Sequence, residues 1–503
     1  MPEQHPTGQP RKNNLLLLHL VLMPVFFILK MVNDYSGLYH TANAVKWLGI
    51  YLAGSVLLFA LLWLGNKNRY RSAVQAQVLL SVFFYFGYAH GVLKQALPDA
   101  FIAKYVFVLP AVVVLTAVLW RLTRKAGAAA LLKLNQYLLL VYTLFTGIEA
   151  VKALQPQSVM PGATATLVSP EAGIMRPNVY FLLFDEYPSS IALQEKHGFA
   201  NPLDSFLTAR HFFISRKSRS SYDMTPLSMG STLSMDFLPL ARQEERLSRL
   251  YLTGVTAVQH NPVFKQFKAL GYEVINNSIF NIDGYPCLQE PRFTYFNDYI
   301  FYYQTLWGKI HDDIWFNVVL SPAANRVYNF KAAGQRKELE QFTRIMTMPL
   351  NRLKELSAQT PQKPTFVYAH VVSPHLPLVY DRHGHFDSLG LIKPYRADAF
   401  IEQVQYINTQ IESIIARIQA SNEGKPYAII LQGDHGEGES LFNPTYGAVD
   451  RYKNLNAWYY SDGDYTALYD GISSVNTFRA VFNKYFGAGM PMLPDSSVYI
   501  KPR

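Results

Sequence analysis

A single cysteine, Cys287, serves the whole 503-residue chain. No intrachain disulfide can form, whichever redox compartment the protein occupies, so cysteine usage does not fix its location. Charge is also scarce: Asp, Glu, Lys and Arg make up 16% of residues, half are hydrophobic, and Tyr and Phe number 33 and 32. That composition is too apolar for an ordinary soluble enzyme. The formal charge of +10 would suit a nucleic-acid partner, but residues 1–155 hold 14 Lys/Arg against 4 Asp/Glu, leaving 32 against 32 elsewhere. The excess sits in a hydrophobic third and no basic tract follows it, so it reads as membrane-orienting charge and no nucleic acid is expected as a partner. There is neither an internal repeat of fixed length nor a low-complexity tail.

Long apolar runs are what the chain has instead. Segments near 14–33, 46–65, 76–95, 102–121 and 134–153 each supply about the 20 residues a helix needs to cross a bilayer. The first is too long for a cleaved signal peptide, lacks a clear small-residue cleavage site and is followed by further spans. Arg11, Lys12, Lys67, Arg69, Arg71, Arg121, Arg124, Lys125 and Lys133 fall on one side of the spans; Lys30, Lys46, Lys94, Lys104 and Lys152 fall nearer the other. The positive-inside rule then places the N-terminus in the cytoplasm and everything after residue 155 outside it. His19 and His90 lie within spans, where facing the helix bundle is the simpler role than lining a polar pathway. Residues 155–177, rich in Pro, Gly, Ala, Ser and Thr without a period, read as a linker. The expected organisation is a five-helix transmembrane domain at 1–154, that linker, and an extracytoplasmic domain at 178–503.

In the outer domain short apolar runs alternate with helical patterns. Residues 178–186, 271–277, 365–373 and 427–434 predict buried strands, and 261–270, 336–356 and 397–420 predict helices. This alternation predicts an α/β domain, a mostly parallel sheet with helices on both faces. Ligands of such sheets bind beyond the carboxyl ends of the strands. Asp185 ends the first strand, His370 and His375 lie in or just past the third, and Asp434 and His435 end the fourth. Singly, an Asp at a strand end is an ordinary cap or turn residue. Three strand ends converging on one crevice with carboxylate and imidazole donors make a set of ligands suited to a divalent ion such as zinc or manganese. Ser220, Ser221, Thr225 and Ser228 all offer a hydroxyl before or within a candidate helix, and composition alone does not choose among them.

At these motifs the chain resembles the membrane-anchored, sulfatase-like branch of the alkaline phosphatase superfamily, which includes lipoteichoic acid synthases and lipid A phosphoethanolamine transferases. The similar pieces, in the family's order, are PNVYFLLFDEYPSS, SSYDMTPLSMGSTLSM, HVVSPHLPLVYDRHG and QGDHGEG. The resemblance implies Thr225 as both nucleophile and metal ligand, with Asp185, Asp434 and His435 completing the metal site. It further implies that His375 contacts the transferred phosphate or leaving group, with His370 a second contact. A divalent metal, Zn2+ or Mn2+, would activate the threonine hydroxyl and neutralise phosphoryl charge, and a histidine would protonate the departing alkoxide. The sequence departs from the family in three places. Asp185 stands where the membrane transferases usually carry Glu, with Glu186 beside it; the disulfides typical of lipid A transferases are excluded by the single cysteine; and the segment after Met224 lacks the Cys or Ser context of formylglycine sulfatases.

Other residues carry weaker signals. Arg216 and Arg219, with Lys217, precede Thr225 and suit a phosphate or anionic head group, as does Arg382 near His383 and His385; a solvated basic turn is the plain alternative. Glu437 and Glu439 read as a second ion site or as a polar loop. Cys287 reads as structural, and Trp307, Trp315 and Trp458 as core or as walls of an acceptor pocket. The resemblance implies a transferase in a bacterial inner membrane, with its catalytic domain on the periplasmic or extracellular side of the lipid bilayer. It would move the head group of a membrane phospholipid, of phosphoethanolamine or phosphoglycerol type, to a glycan or glycolipid acceptor through a phospho-threonine. The alternatives are a membrane-bound phosphodiesterase or sulfatase-like hydrolase, and a non-catalytic membrane-anchored binding module.

Overall fold

The computed structural model describes residues 14–35, 39–97, 100–154, 176–240, 247–287, 298–315, 330–387, 395–438 and 450–500. The expected linker falls almost entirely outside these residues, as does Glu439. The chain divides into two compact units, one of residues 1–158 with 295–331, the other of 159–294 with 332–503.

Among its described residues the first unit holds five long helices: α1 (His19–Asp34), α2 (Thr41–Asn66), α3 (Arg69–Ala96), α4 (Tyr105–Lys125) and α5 (Ala128–Leu154). All five spans, α1 counted together with the 3-10 turn before it, are long and apolar enough to cross a membrane. Their apolar residues run around the whole circumference, so one set packs inward while another, including Leu57, Leu61, Val113, Val114 and Leu140, stays exposed as lipid-facing surface does. Phe27, Tyr51 and Phe84 knit α1, α2 and α3 together, with ring centroids 4.8 Å apart for Phe27 and Phe84 and 4.9 Å for Tyr51 and Phe84. His19 is fully buried between Gln77 of α3 (2.8 Å) and Asn135 of α5 (3.0 Å), so it fastens three helices. His90 bonds the Ala103 carbonyl at 2.9 Å. Both histidines therefore face protein groups within the bundle.

Residues 298–309 belong to this same unit, although β-strands of the other unit precede and follow them in sequence. Phe301 is buried beside α1 and α2, its carbonyl accepting from the Tyr51 hydroxyl at 2.8 Å. The Gly87 N–H of α3 donates to the Gln304 carbonyl at 2.9 Å. Tyr35 and Tyr303 share a hydroxyl hydrogen bond of 2.6 Å, and Lys46 pairs with Asp298.

The second unit is built on a six-stranded sheet: β1 (Asn178–Phe184), β2 (Phe213–Ile214), β3 (Glu273–Asn277), β4 (Thr365–Val371), β5 (Tyr427–Gly433) and β6 (Asn456–Tyr460), in the order β2-β6-β5-β1-β4-β3. β5, β1, β4 and β3 pair in parallel; β6 is antiparallel to β5, and β2 to β6. β1, β4 and β5 are buried at every position, which is why their sequences are predominantly apolar, with Asn178, Thr365, His370 and Gln432 as the polar exceptions. Alternation along β1 sends Val179, Phe181 and Leu183 to one layer and Tyr180, Leu182 and Phe184 to the other. The first layer packs on α8 (Thr225–Ser234), α9 (Leu247–Gln259), α10 (Pro262–Ala269) and the helix Thr477–Phe486. The second packs on α6 (Ser190–His197), α7 (Leu203–Ala209), the helix Phe330–Ser357 and the helix Ala397–Ser421, whose Ile407, Ile411, Ile414 and Ile418 form its buried stripe.

Candidate metal and nucleophile centre

Strand register decides where the polar strand ends go. Leu183 pairs with His370 on β4 and with Gln432 on β5. Two residues further along each strand returns to the same face, so Asp185 and Asp434 emerge on the face that also carries His370. α8 covers that face and starts at Thr225, with Pro226 next, where a missing N–H costs no helical hydrogen bond. Thr225 thus sits at the positive end of the α8 dipole, against the strand ends.

The geometry there is specific. Thr225 Oγ1 lies 3.5 Å from Asp185 Oδ1 and 3.4 Å from His435 Nε2. Asp185 Oδ2 is 3.6 Å from His370 Nε2, and Asp434 Oδ2 is 3.3 Å from His435 Nε2. Asp185 Oδ2, His370 Nε2 and Asp434 Oδ2 are buried and have no hydrogen-bond partner. One donor atom from each of Asp185, His370 and Asp434 falls within 4.8 Å of the others. Leaving a buried polar atom unsatisfied costs about 1–3 kcal/mol, so three such atoms facing one point fit a cation held among them. Carboxylate oxygen with imidazole nitrogen suits zinc or manganese.

The surrounding backbone holds these groups. Asp434 Oδ1 accepts the Glu186 N–H at 2.9 Å, and its carbonyl accepts the Ser228 hydroxyl at 2.5 Å. Glu186 reaches that position with a φ of 59°, a left-handed conformation that is strained for a residue with a Cβ. The Gly436 carbonyl can only accept, so in the neutral imidazole His435 Nδ1, 2.7 Å away, carries the proton and Nε2 offers a lone pair to a metal or to the Thr225 hydroxyl. His370 Nδ1 is 3.1 Å from the Tyr368 hydroxyl. The His375 N–H donates to the Asp185 carbonyl at 3.1 Å, and its ring Nε2 stands 3.7 Å from Glu186 Oε1 at the more exposed edge of the group.

Electrostatics point the same way. Burial, reinforced by the Asp185 charge, lifts the Asp434 carboxyl above its ordinary range. Burial also pushes Asp185 up, but the neighbouring His375 and His370 outweigh it and hold that carboxyl below its usual range. Burial lowers His435, yet Asp434, Glu186 and Asp185 raise it overall. Burial and the two aspartates drive the Tyr368 phenol well above its normal value, so it stays protonated. Two carboxylates enclosed this closely favour a positive partner.

Of the four candidate hydroxyls, Thr225 alone is seen to meet both an acidic and an imidazole member of the group. Ser228 is spent on the Asp434 carbonyl, and the Ser220 and Ser221 hydroxyls are buried without a partner. Arg216 pairs with Asp204 at 3.7 Å and Arg382 with Glu402 at 2.9 Å, both on exposed side chains; Arg219 is exposed, and its carbonyl accepts from Ser474. His383 and His385 are also exposed. Glu437 is taken up by a buried cluster with Lys196 (3.1 Å), His197 (2.7 Å) and the Tyr395 hydroxyl, which accounts for it as an anchor of the loop after His435. Of the two glycines flanking Glu437, Gly436 is required by close approach, because a Cβ there would overlap the Asp450 carbonyl oxygen, while one at Gly438 would meet only the movable Glu186 carboxylate. Trp458 is core, in β6, and Trp307 is exposed; the Trp315 side chain lies outside the described residues. His370 as a member of the cluster, Glu186 and Tyr368 are what sequence reasoning missed or ranked low. The signal for His370 was parity with Tyr368 and Phe366 on one strand face.

A mostly parallel α/β sheet with acidic and imidazole donors at its strand ends, and a hydroxyl presented by a helix N-terminus, supports an enzyme domain of the phosphotransferase or sulfatase type. The sulfatase family model matches residues 238–478, a span that includes His370, His375, Asp434 and His435 while Asp185 and Thr225 precede it. No curated protein matches the chain. Among solved structures, the chain is similar to the integral membrane protein lipooligosaccharide phosphoethanolamine transferase A from Neisseria meningitidis, at 13% identity over 97% of both chains with a TM-score of 0.39. It is also similar to the C-terminal periplasmic domain of EptC from Escherichia coli, at 14% identity over 67% of this chain and 90% of that one with a TM-score of 0.38, a domain also solved with zinc. The corresponding domain of phosphoethanolamine transferase EptC from Campylobacter jejuni is 12% identical over 67% of this chain and 100% of that one, with a TM-score of 0.35.

Proposed function

We propose that this protein is a metal-dependent transferase that takes the head group of a membrane phospholipid, of phosphoethanolamine or phosphoglycerol type, onto Thr225 and passes it to a glycan or glycolipid hydroxyl. The observation that carries this reading is the convergence of three partnerless buried atoms, on Asp185, His370 and Asp434, beside the Thr225 hydroxyl. Asp185, Asp434, His435 and Thr225 itself would hold the ion, with His370 close enough to join them. When bound, a divalent ion supplies Lewis acidity and lowers the pKa of a coordinated hydroxyl.

The protein's own groups do the rest. Thr225 Oγ passes its proton to Asp185 Oδ1, 3.5 Å away, and attacks the donor phosphorus; the bond from phosphorus to the diacylglycerol oxygen breaks, and that oxygen leaves as an alcohol after taking a proton from His375. The acceptor hydroxyl then gives its proton to His375 and attacks the phosphorus, the bond to Thr225 Oγ breaks, and Oγ recovers its proton from Asp185. The α8 N-terminus favours the negative charge that builds on the phosphoryl oxygens. The five membrane-competent helices suit a donor that stays in a bilayer, on the periplasmic or extracellular side of a bacterial inner membrane.

The test is to incubate the purified full chain with head-group-labelled phospholipids and zinc or manganese, then search for the adduct by peptide mass spectrometry. A head-group phosphate on Thr225, absent from Thr225→Ala, is expected. Turnover by Thr225→Ala at the wild-type rate refutes the covalent route, and release of free head group with no labelled glycan converts the reading to a hydrolase.

A further inference from the structure

Residues 298–309 are sequestered with the five helices at a definite depth. The Tyr302 ring packs at a tilt against Trp47, with centroids 5.3 Å apart, and Phe301 accepts from Tyr51. At 1.5 Å per residue these partners lie roughly 9 and 15 Å along α2 from Thr41. α2 spans 26 residues, about 39 Å, against a hydrocarbon thickness of about 30 Å. With α2 centred in that layer about 4–5 Å of it projects at each end, so these contacts lie roughly 5–10 Å inside the boundary between head groups and acyl chains, at the end of the bundle where α1 stops and α2 starts. Its inward side is complete: Ile300 and Phe301 are buried, and Gly87 admits the Gln304 backbone so closely that a Cβ would stand 2.5 Å from its carbonyl oxygen. Its outward side is aromatic and exposed, with Trp307 at 59% and Tyr299 at 41%, and Lys309 lies beside them with Nζ 5.6 Å from the Tyr303 ring centroid.

We propose that residues 298–309 form a lipid-binding finger whose Trp307, Tyr299 and Lys309 dock in the phospholipid head-group interface. Trp and Tyr favour that zone because one part of each ring system is apolar and another is polar. A lysine on a flexible stem can hold its ammonium at the phosphate level while its methylenes stay in the apolar layer. The occupant is the bilayer, because the finger is continuous with helices that must lie in it. This inference needs the helices to span a membrane and does not depend on the proposed reaction.

The full chain is reconstituted into phosphatidylcholine vesicles brominated either high on the acyl chain, near the head group, or near its end. Tryptophan emission of the wild type is compared with that of Trp307→Phe, so the five other tryptophans cancel in the difference. The expected result is a difference signal quenched more strongly by the shallow bromine than by the deep one. A difference signal quenched by neither, or more by the deep label, overturns the proposal. Should Trp307→Phe fail to fold, Lys309→Cys in a Cys287→Ser background carries an environment-sensitive fluorophore. A blue shift and shallow quenching on reconstitution support the finger, and water-like, unquenched emission overturns it. Catalytic turnover enters neither readout.

Discussion

Replacing Asp434 by Asn separates the two things its carboxylate does. Asp434 is 1% exposed; Oδ1 accepts the Glu186 N–H, while Oδ2 has no partner and lies 3.3 Å from the His435 Nε2 lone pair. Asn can keep the first contact through its carbonyl oxygen and turn its NH2 toward Nε2, converting an unsatisfied buried oxygen into a donor facing an acceptor. Without metal, the variant should therefore match or exceed the wild type, by up to about 1–3 kcal/mol. With metal the order reverses. An ion at 100 times its Kd stabilises the native state by about 2.7 kcal/mol, which at roughly 2–4 °C per kcal/mol raises Tm by about 5–10 °C. Asp434→Asn should lose most of that rise. Thermal unfolding of the detergent-solubilised full chain, in chelator and then in excess zinc or manganese, reads both effects. An undiminished metal-dependent rise in Asp434→Asn, or no rise in the wild type with either ion, refutes the assignment of the cluster.

Four further substitutions probe the scaffold. Glu437→Gln removes the buried charge that Lys196 and His197 face and should cost about 3 kcal/mol, measured by denaturant unfolding. Gly436→Ala pushes a Cβ into the Asp450 carbonyl, and because backbone cannot yield as a flexible side chain does, a loss of about 1–3 kcal/mol is expected in the same assay. Ile411→Ala opens a cavity in the helix that covers the far face of the sheet and should cost about 2–5 kcal/mol while leaving metal affinity unchanged. Gly87→Ala would stabilise an ordinary helix by about 1 kcal/mol; here it should destabilise the full chain and expose residues 298–309 to limited proteolysis, because its Cβ collides with Gln304.

The parts of this fold that were legible are those whose burial is two-sided or strictly periodic. β1, β4 and β5 announce themselves because every side chain in them is buried, and the helix Ala397–Ser421 because its isoleucines recur at helical spacing. β2, only two residues long, leaves no pattern to read, and β6 pairs antiparallel at the sheet's edge region with a mere five residues. α2 begins at Thr41 rather than near residue 46 because its polar first turn carries the helix beyond its apolar stretch. Asp185, Asp434 and His435 stood out as polar residues terminating apolar runs. Thr225 did not, since four hydroxyls were equivalent until the strand ends and α8 were seen together. His370 sits inside an apolar strand, and only register shows that it shares a face with the two aspartates. The left-handed turn at Glu186 has no sequence signal at all, because nothing about Glu favours it.

The division of the chain has a practical corollary for anyone who would study the outer part alone. The polypeptide passes from one unit to the other after residues 158, 294 and 331. A protease cut in the expected linker would leave both fragments bound, the second still gripping α1–α3 through Phe301, Tyr303 and Gln304. A soluble fragment beginning near residue 176 would strip those side chains of their partners and present them to water as adhesive surface. Excising 295–331 removes that liability without touching any of the residues gathered at the strand ends.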